Sequence, residues 1–185
     1  MKKPKLNTDC FEKRLPWLAI KSVEVMEKYL NKDSVVFEYG IGGSTLWFAD
    51  RVKAVHCVDN DKLWINKVSN ALKKDGKKNV VINYKLLGPD SGYPIHKASE
   101  LYVNTIAISG LKYDLILIDG RERVQCVKAA LNYIKEDGLL VCDNFERERY
   151  EEARTLLKTS GWTWDYYRMG RTSKLTYMYR RRKDD

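Results

Sequence analysis

Short apolar runs that suit buried strands alternate along the chain with stretches whose apolar residues recur at helical spacing. In WLAIKSVEVMEKYL, Leu18, Val25 and Leu30 fall near that spacing, and the following SVVFEYG reads as a short buried strand. TLWFADRV predicts a helix, with Ser44 or Thr45 suited to cap it. KAVHCVD is a second strand, and DKLWINKVSNALKKDG a helix ending at Gly76.

VVINYKLLG is the third strand, and GPDSGYP after it carries the Pro and Gly punctuation of a loop. HKASELYVNTIAISG suits a helix. YDLILIDG is apolar nearly throughout, the pattern of a strand covered on both faces. RVQCVKAALNYIKEDG predicts a helix closed by Gly138, LLVCDN another buried strand, and ERERYEEARTLLKTSG a further helix. WTWDYYRM and KLTYMYRR follow with no helix between them and therefore predict an antiparallel hairpin at one edge.

This order implies a doubly wound α/β fold: seven strands, mostly parallel, with ligands expected at the carboxyl ends of the strands. With 185 residues, 44% of them apolar, the chain suits one domain over 1–185, with an N-terminal helical region over 1–34 and a core over 35–180. The net charge of +9 favours acidic partners, and nucleic acid is one such partner. Four widely spaced cysteines without a CxxC pair, and only two histidines, argue against structural zinc. Cys57, Cys126 and Cys142 sit in apolar runs and suit a reducing compartment. No run has signal-peptide or membrane-spanning character, so the expectation is a cytoplasmic protein without a membrane partner.

The chemistry begins at VFEYGIGGSTLWFAD, where an apolar strand ends in Glu38 and runs into Gly40, Gly42, Gly43, Ser44 and Thr45. A glycine loop between strand and helix brings backbone N–H groups close to an anion, yet Glu38 at its mouth is a poor neighbour for pyrophosphate. The third glycine of the dinucleotide pattern is also missing from its place, which weighs against nicotinamide. Asp59, followed by Asn60, ends the second strand, where an acid accepts hydrogen bonds from ribose hydroxyls; helix capping is the plain alternative for Asp59 or Asp61. A phosphate-free ligand with a positive centre, such as S-adenosylmethionine, suits Glu38 better, with the helix start receiving its carboxylate.

The pattern ExGxGGS followed by an Asp at the end of the next strand resembles the class I S-adenosylmethionine-dependent methyltransferases, over about Val35 to Arg180. The resemblance implies a Rossmann-like sheet, S-adenosyl-L-methionine as cofactor, and Glu38, Gly40, Gly42, Gly43, Ser44, Asp59, Asn60 and Asp119 as its binding residues. Asp119 at the end of LILID, with Asp143 and Asn144 at the end of LLVCDN, is similar to the magnesium ligands of catechol and caffeoyl-coenzyme A type O-methyltransferases. That likeness implies magnesium on these three oxygen donors and a catalytic role for Asp119. The lysine such enzymes carry after the first Asp is absent, since the chain reads Asp119, Gly120, Arg121, Glu122.

The leading expectation is O-methylation of a small-molecule or saccharide acceptor. Arg121, Arg123, Arg147 and Arg149 follow the same strand ends, where they either grip an acceptor's carboxylate or phosphate or serve as charged helix starts. An RNA- or DNA-directed methyltransferase is the alternative, on the net charge and the basic tail Arg180 to Lys183. A cofactor-binding module without turnover is another. With few residues beyond the core sheet, a lid over the acceptor would come from the N-terminal helix, the loop near Tyr93 and His96, or a second subunit of a homo-oligomer.

Overall fold

The apolar run Val35–Tyr39 forms β1, an inner strand of a seven-stranded sheet in the computed structural model, which describes residues 10–181. Ahead of it lies α1 (Ile20–Tyr29), and after it come α2 (Gly43–Ala49), β2 (Ala54–Asp59), α3 (Lys62–Lys74) and β3 (Val80–Tyr84). A 3-10 turn at Pro89–Ser91 leads to α4 (Ile95–Val103), then β4 (Tyr113–Ile118), α5 (Arg123–Ala130), β5 (Ile134–Asp143), α6 (Glu151–Thr159), β6 (Trp162–Arg168) and β7 (Leu175–Arg181). The strand order is β3-β2-β1-β4-β5-β7-β6. β1 to β5 are parallel, and β7 lies antiparallel between β5 and β6, as the helix-free link between the last two strands requires.

Side-chain alternation on β4 shows why its sequence is apolar almost throughout. Ile116 and Ile118 enter one core with Phe37, Tyr39, Val127, Phe145 and Leu157, while Leu115 and Leu117 enter the opposite core with Val36, Met26, Phe48 and Val141. Both faces of the strand are covered, and all four side chains are fully buried. A smaller cluster joins Phe11 to Leu46, Ala49, Val68 and Leu72, anchoring the segment before α1 on α2 and α3. Arg14 reinforces that anchor through Asp50, at 3.3 Å, and Asp75.

Two local expectations are corrected. The helix expected to run to Gly138 stops at Ala130, and β5 already begins at Ile134. Tyr113 pairs with Ile134, but Leu115 pairs with Leu139, so the extra residues bulge from the strand beside β4. Neither Ser44 nor Thr45 is the first cap of α2: Gly42 holds that position, and Thr45 Oγ1 accepts the Gly42 N–H at 3.0 Å from inside the first turn. Arg182 and Lys183 of the basic tail, like the polar start, lie outside the described residues.

Candidate functional site

Glu38 is fully buried beneath the glycine loop. Both its oxygens accept hydrogen bonds from that loop, Oε1 from the Ser44 hydroxyl and Oε2 from the Thr45 hydroxyl at 2.6 Å. Burial pushes the carboxyl up to about 8, with the two hydroxyl donors opposing and the charges of Asp119 and Asp59 adding to the rise. The side chain fixes the loop from below and does not line the cleft.

Above it, a cleft of about 400 Å³ opens at the carboxyl ends of β1, β2, β4 and β5, where the order of the sheet reverses between β1 and β4. Gly40, Gly42, Gly43 and Ser44 form one wall, Asp59 and Asn60 a second, and Asp119, Asp143 and Asn144 the floor. Gly40 is held at φ +89, and a Cβ there would stand 2.8 Å from the backbone of Gly120. The ends of β1 and β4 approach closely because both residues lack side chains. Gly42 faces open space: nothing lies within 4 Å of a Cβ built on it, so any side chain would fill part of the cavity.

Asp59 is held by the loops it joins. Oδ2 accepts the Ile41 N–H at 2.9 Å and Oδ1 the Asp61 N–H at 2.7 Å. Burial raises its pKa against these backbone donors. With the Asn60 N–H also directed at it, the carboxylate still has capacity for a further donor. Helix capping falls to Asp61, whose Oδ1 accepts from Leu63 N and Trp64 N.

At the floor, Arg123 ties two strand ends together. Its Nε donates to Gly120 O at 3.0 Å, Nη2 to Asp119 O at 2.6 Å and Oδ1 at 2.8 Å, and Nη1 to the Asp143 carbonyl. Asp143 Oδ1 accepts from Thr176 at 2.9 Å and Oδ2 from the Asn144 amide, while Asn144 Oδ1 accepts from Arg147 at 2.8 Å. Burial, with the neighbouring Asp119 charge adding, pushes the Asp143 carboxyl up to about 7.

The three residues expected to hold magnesium do meet in the cleft, but the arrangement does not fit the ion. Each side chain is engaged by a protein donor, and a guanidinium already supplies the positive charge beside Asp119. Among the described residues no group of three or more His, Cys, Asp or Glu side chains is placed to hold a metal.

No family model and no curated protein matches the chain. Solved structures do match it. An rRNA methylase from Streptococcus thermophilus superposes with a TM-score of 0.65 at 14% identity, covering 88% of this chain and 95% of that one. A methyltransferase-like protein from Silicibacter pomeroyi gives 0.63 at 22% identity, over 92% and 90%. TYW2 of M. jannaschii in complex with AdoMet gives 0.55 at 12% identity, over 98% and 78%. The fold is that of class I methyltransferases.

Within this methyltransferase fold, several cleft residues carried no recognisable sequence signal. Phe11, Leu15 and Trp17 line the cleft from the segment before α1, Trp64 from the start of α3, and Met169 and Lys174 from the β6–β7 turn. They reach it only through the tertiary arrangement, and only Trp64 lies near a motif. Tyr93, in the loop considered as a cover, and His96, which the structure places in the first turn of α4 instead of that loop, are absent from its lining. The other histidine, His56 on β2, has its Nδ1 3.1 Å from the Tyr113 hydroxyl.

Proposed function

We propose that the protein is an S-adenosylmethionine-dependent methyltransferase acting on an oxygen of a small-molecule or saccharide acceptor. The observation that carries this reading is the meeting of the glycine loop and Asp59 across one cleft at the switch point of the sheet. In this reading Asp59 accepts from the ribose hydroxyls, with Asn60 beside it, and the bare backbone of Gly42 leaves room for the methionyl chain. Phe11 and Trp64, with ring centroids 5.6 Å apart on the same rim, offer flat apolar surface to a purine.

When bound, S-adenosylmethionine supplies a methyl carbon already activated by its sulfonium, so the protein's contribution is chiefly alignment. An acceptor hydroxyl held at the floor would need a side chain of this protein to take its proton. Asp119 is the proposed acceptor of the proton, held in place by Arg123 Nη2. Asp143, raised toward neutrality, stands behind it.

A second reading, an RNA-directed methyltransferase, is favoured by the net charge of +9 and by the rRNA methylase among the matching structures. The test is a calorimetric titration with S-adenosylhomocysteine, NADH serving as control, on the parent and on Asp59→Ala. Micromolar binding of S-adenosylhomocysteine, weakened roughly tenfold or more by loss of a charged hydrogen-bond acceptor, is expected. Equal affinity in the two proteins would remove Asp59 from the site, and no binding to the parent would defeat the methyltransferase reading. An acceptor screen with labelled methyl then separates an enzyme from a silent binding module.

A further inference from the structure

A second cavity, of about 370 Å³, opens beside the cleft between the start of α5 and the loop that follows β5, and shares Gly120, Arg121 and Arg123 with it. Arg121, Arg147 and Arg149 line it together with Glu122 and Tyr150. Their states differ from that of Arg123, which also borders this cavity but has its hydrogen-bonding groups turned to the strand ends. Among the described residues, none of these three guanidiniums forms an ion pair; Arg147 donates only to the Asn144 amide oxygen, and Arg149 lies over the Tyr150 ring at 4.9 Å. Glu122, on the cavity wall, takes part in no ion pair with them.

The loops that carry these arginines are held in unusual backbone. Glu122 at φ 51 and Asn144 at φ 51 are both left-handed without being glycine, one after β4 and one after β5. Backbone of this kind persists where the surroundings enforce it and concentrates at ligand sites. Here it turns two chain segments toward one space.

We infer that this cavity is the acceptor's anion subsite: Arg121, Arg147 and Arg149 grip a phosphate or carboxylate on a small acceptor whose hydroxyl then lies at Asp119. The inference rests on the proposed methyltransferase reading and narrows its substrate class to acidic molecules. Three unneutralised guanidiniums around a concave space raise the local potential where one oxyanion can contact several planar forks at once. The cavity's size suits a single phosphorylated or carboxylated compound, and the ring of Tyr150, buried beneath Arg149, supplies a firm wall.

The test uses the full chain and calorimetric titration with inorganic phosphate and, separately, acetate, each after saturation with S-adenosylhomocysteine. It compares the parent with Arg147→Gln/Arg149→Gln, and with Lys73→Gln/Lys74→Gln as a control that removes the same charge from the far end of α3. Anion binding that falls roughly tenfold in the arginine variant alone, with S-adenosylhomocysteine affinity unchanged, supports the subsite. The stronger of the phosphate and acetate arms then identifies the acceptor's acidic group.

Equal loss in both variants would reduce the effect to net charge and overturn the subsite, as would no anion binding by a parent that binds S-adenosylhomocysteine; the methyltransferase reading would survive either result. Failure of S-adenosylhomocysteine itself to bind would overturn that reading and the acceptor role with it. Tight, steeply salt-dependent binding of a short RNA, undiminished in the arginine variant, would also overturn the inference in favour of a macromolecular acceptor.

Discussion

Glu38 is conspicuous in the sequence as an acid beside a glycine loop, and in the structure it braces that loop from beneath. An acid next to a glycine loop signals a ligand that is not pyrophosphate, but the sequence does not tell whether the carboxylate meets the ligand or the loop. In the folded chain the hydroxyls of Ser44 and Thr45 reach down to it. Burial also makes the folded protein retain a proton on Glu38 up to about pH 8, whereas an ordinary glutamate releases it near 4.5. The Glu38 contribution to stability is therefore fullest below that ordinary value and declines as pH rises toward 8, the direction required when the folded state binds more protons than the unfolded chain. Asp143, raised to about 7, adds to the same decline. The melting temperature should fall across this window, and Glu38→Gln should flatten the fall while Ser44→Ala leaves its sign unchanged. A parent melting temperature that rises from pH 5 to 8 would contradict the assigned proton.

At the scale of elements, the strands and their succession along the chain were legible because parallel strands buried on both faces leave continuous apolar runs, and YDLILIDG is the clearest. The start of β5 was not. KEDG looks like a helix end because its Gly and charges carry the same local signal whether they close a helix or bulge from a strand, and only pairing with β4 decides between them. In the site, Asp59 was visible from its position at a strand end, whereas Phe11, Trp17 and Lys174 were not, since nothing local brings them to the cleft. The approach of β1 to β4 gives a direct test. A Cβ on Gly120 would lie 2.2 Å from the Tyr102 hydroxyl and 2.8 Å from Gly40 N. Gly120→Ala should cost about 1–3 kcal/mol, a lowering of roughly 2–4 °C per kcal/mol in thermal unfolding. Gly42→Ala, which meets no atom within 4 Å, should leave unfolding nearly unchanged but weaken S-adenosylhomocysteine binding in calorimetry.

For the whole molecule, the sheet order places one cofactor-sized cleft and one basic cavity on the same edge, with the segment before α1 closing over the first. That segment is fastened: a Cβ on Gly43 would stand 2.4 Å from Leu15 O and 2.8 Å from Cys10 O. No helix among the described residues is long and apolar enough to cross a membrane. Because protein donors already engage Asp119, Asp143 and Asn144, removal of divalent metal by a chelator should change neither S-adenosylhomocysteine affinity nor, once an acceptor is found, turnover. Activity restored only by added magnesium would show that Arg123 yields its place to the ion.

Arg123 itself has a further consequence. One guanidinium fastens the carbonyls of Asp119, Gly120 and Asp143 together, so the two strand ends that form the floor share a single rivet. Loss of that side chain would let both loops drift at once, so a single substitution would unmake the floor from two strands.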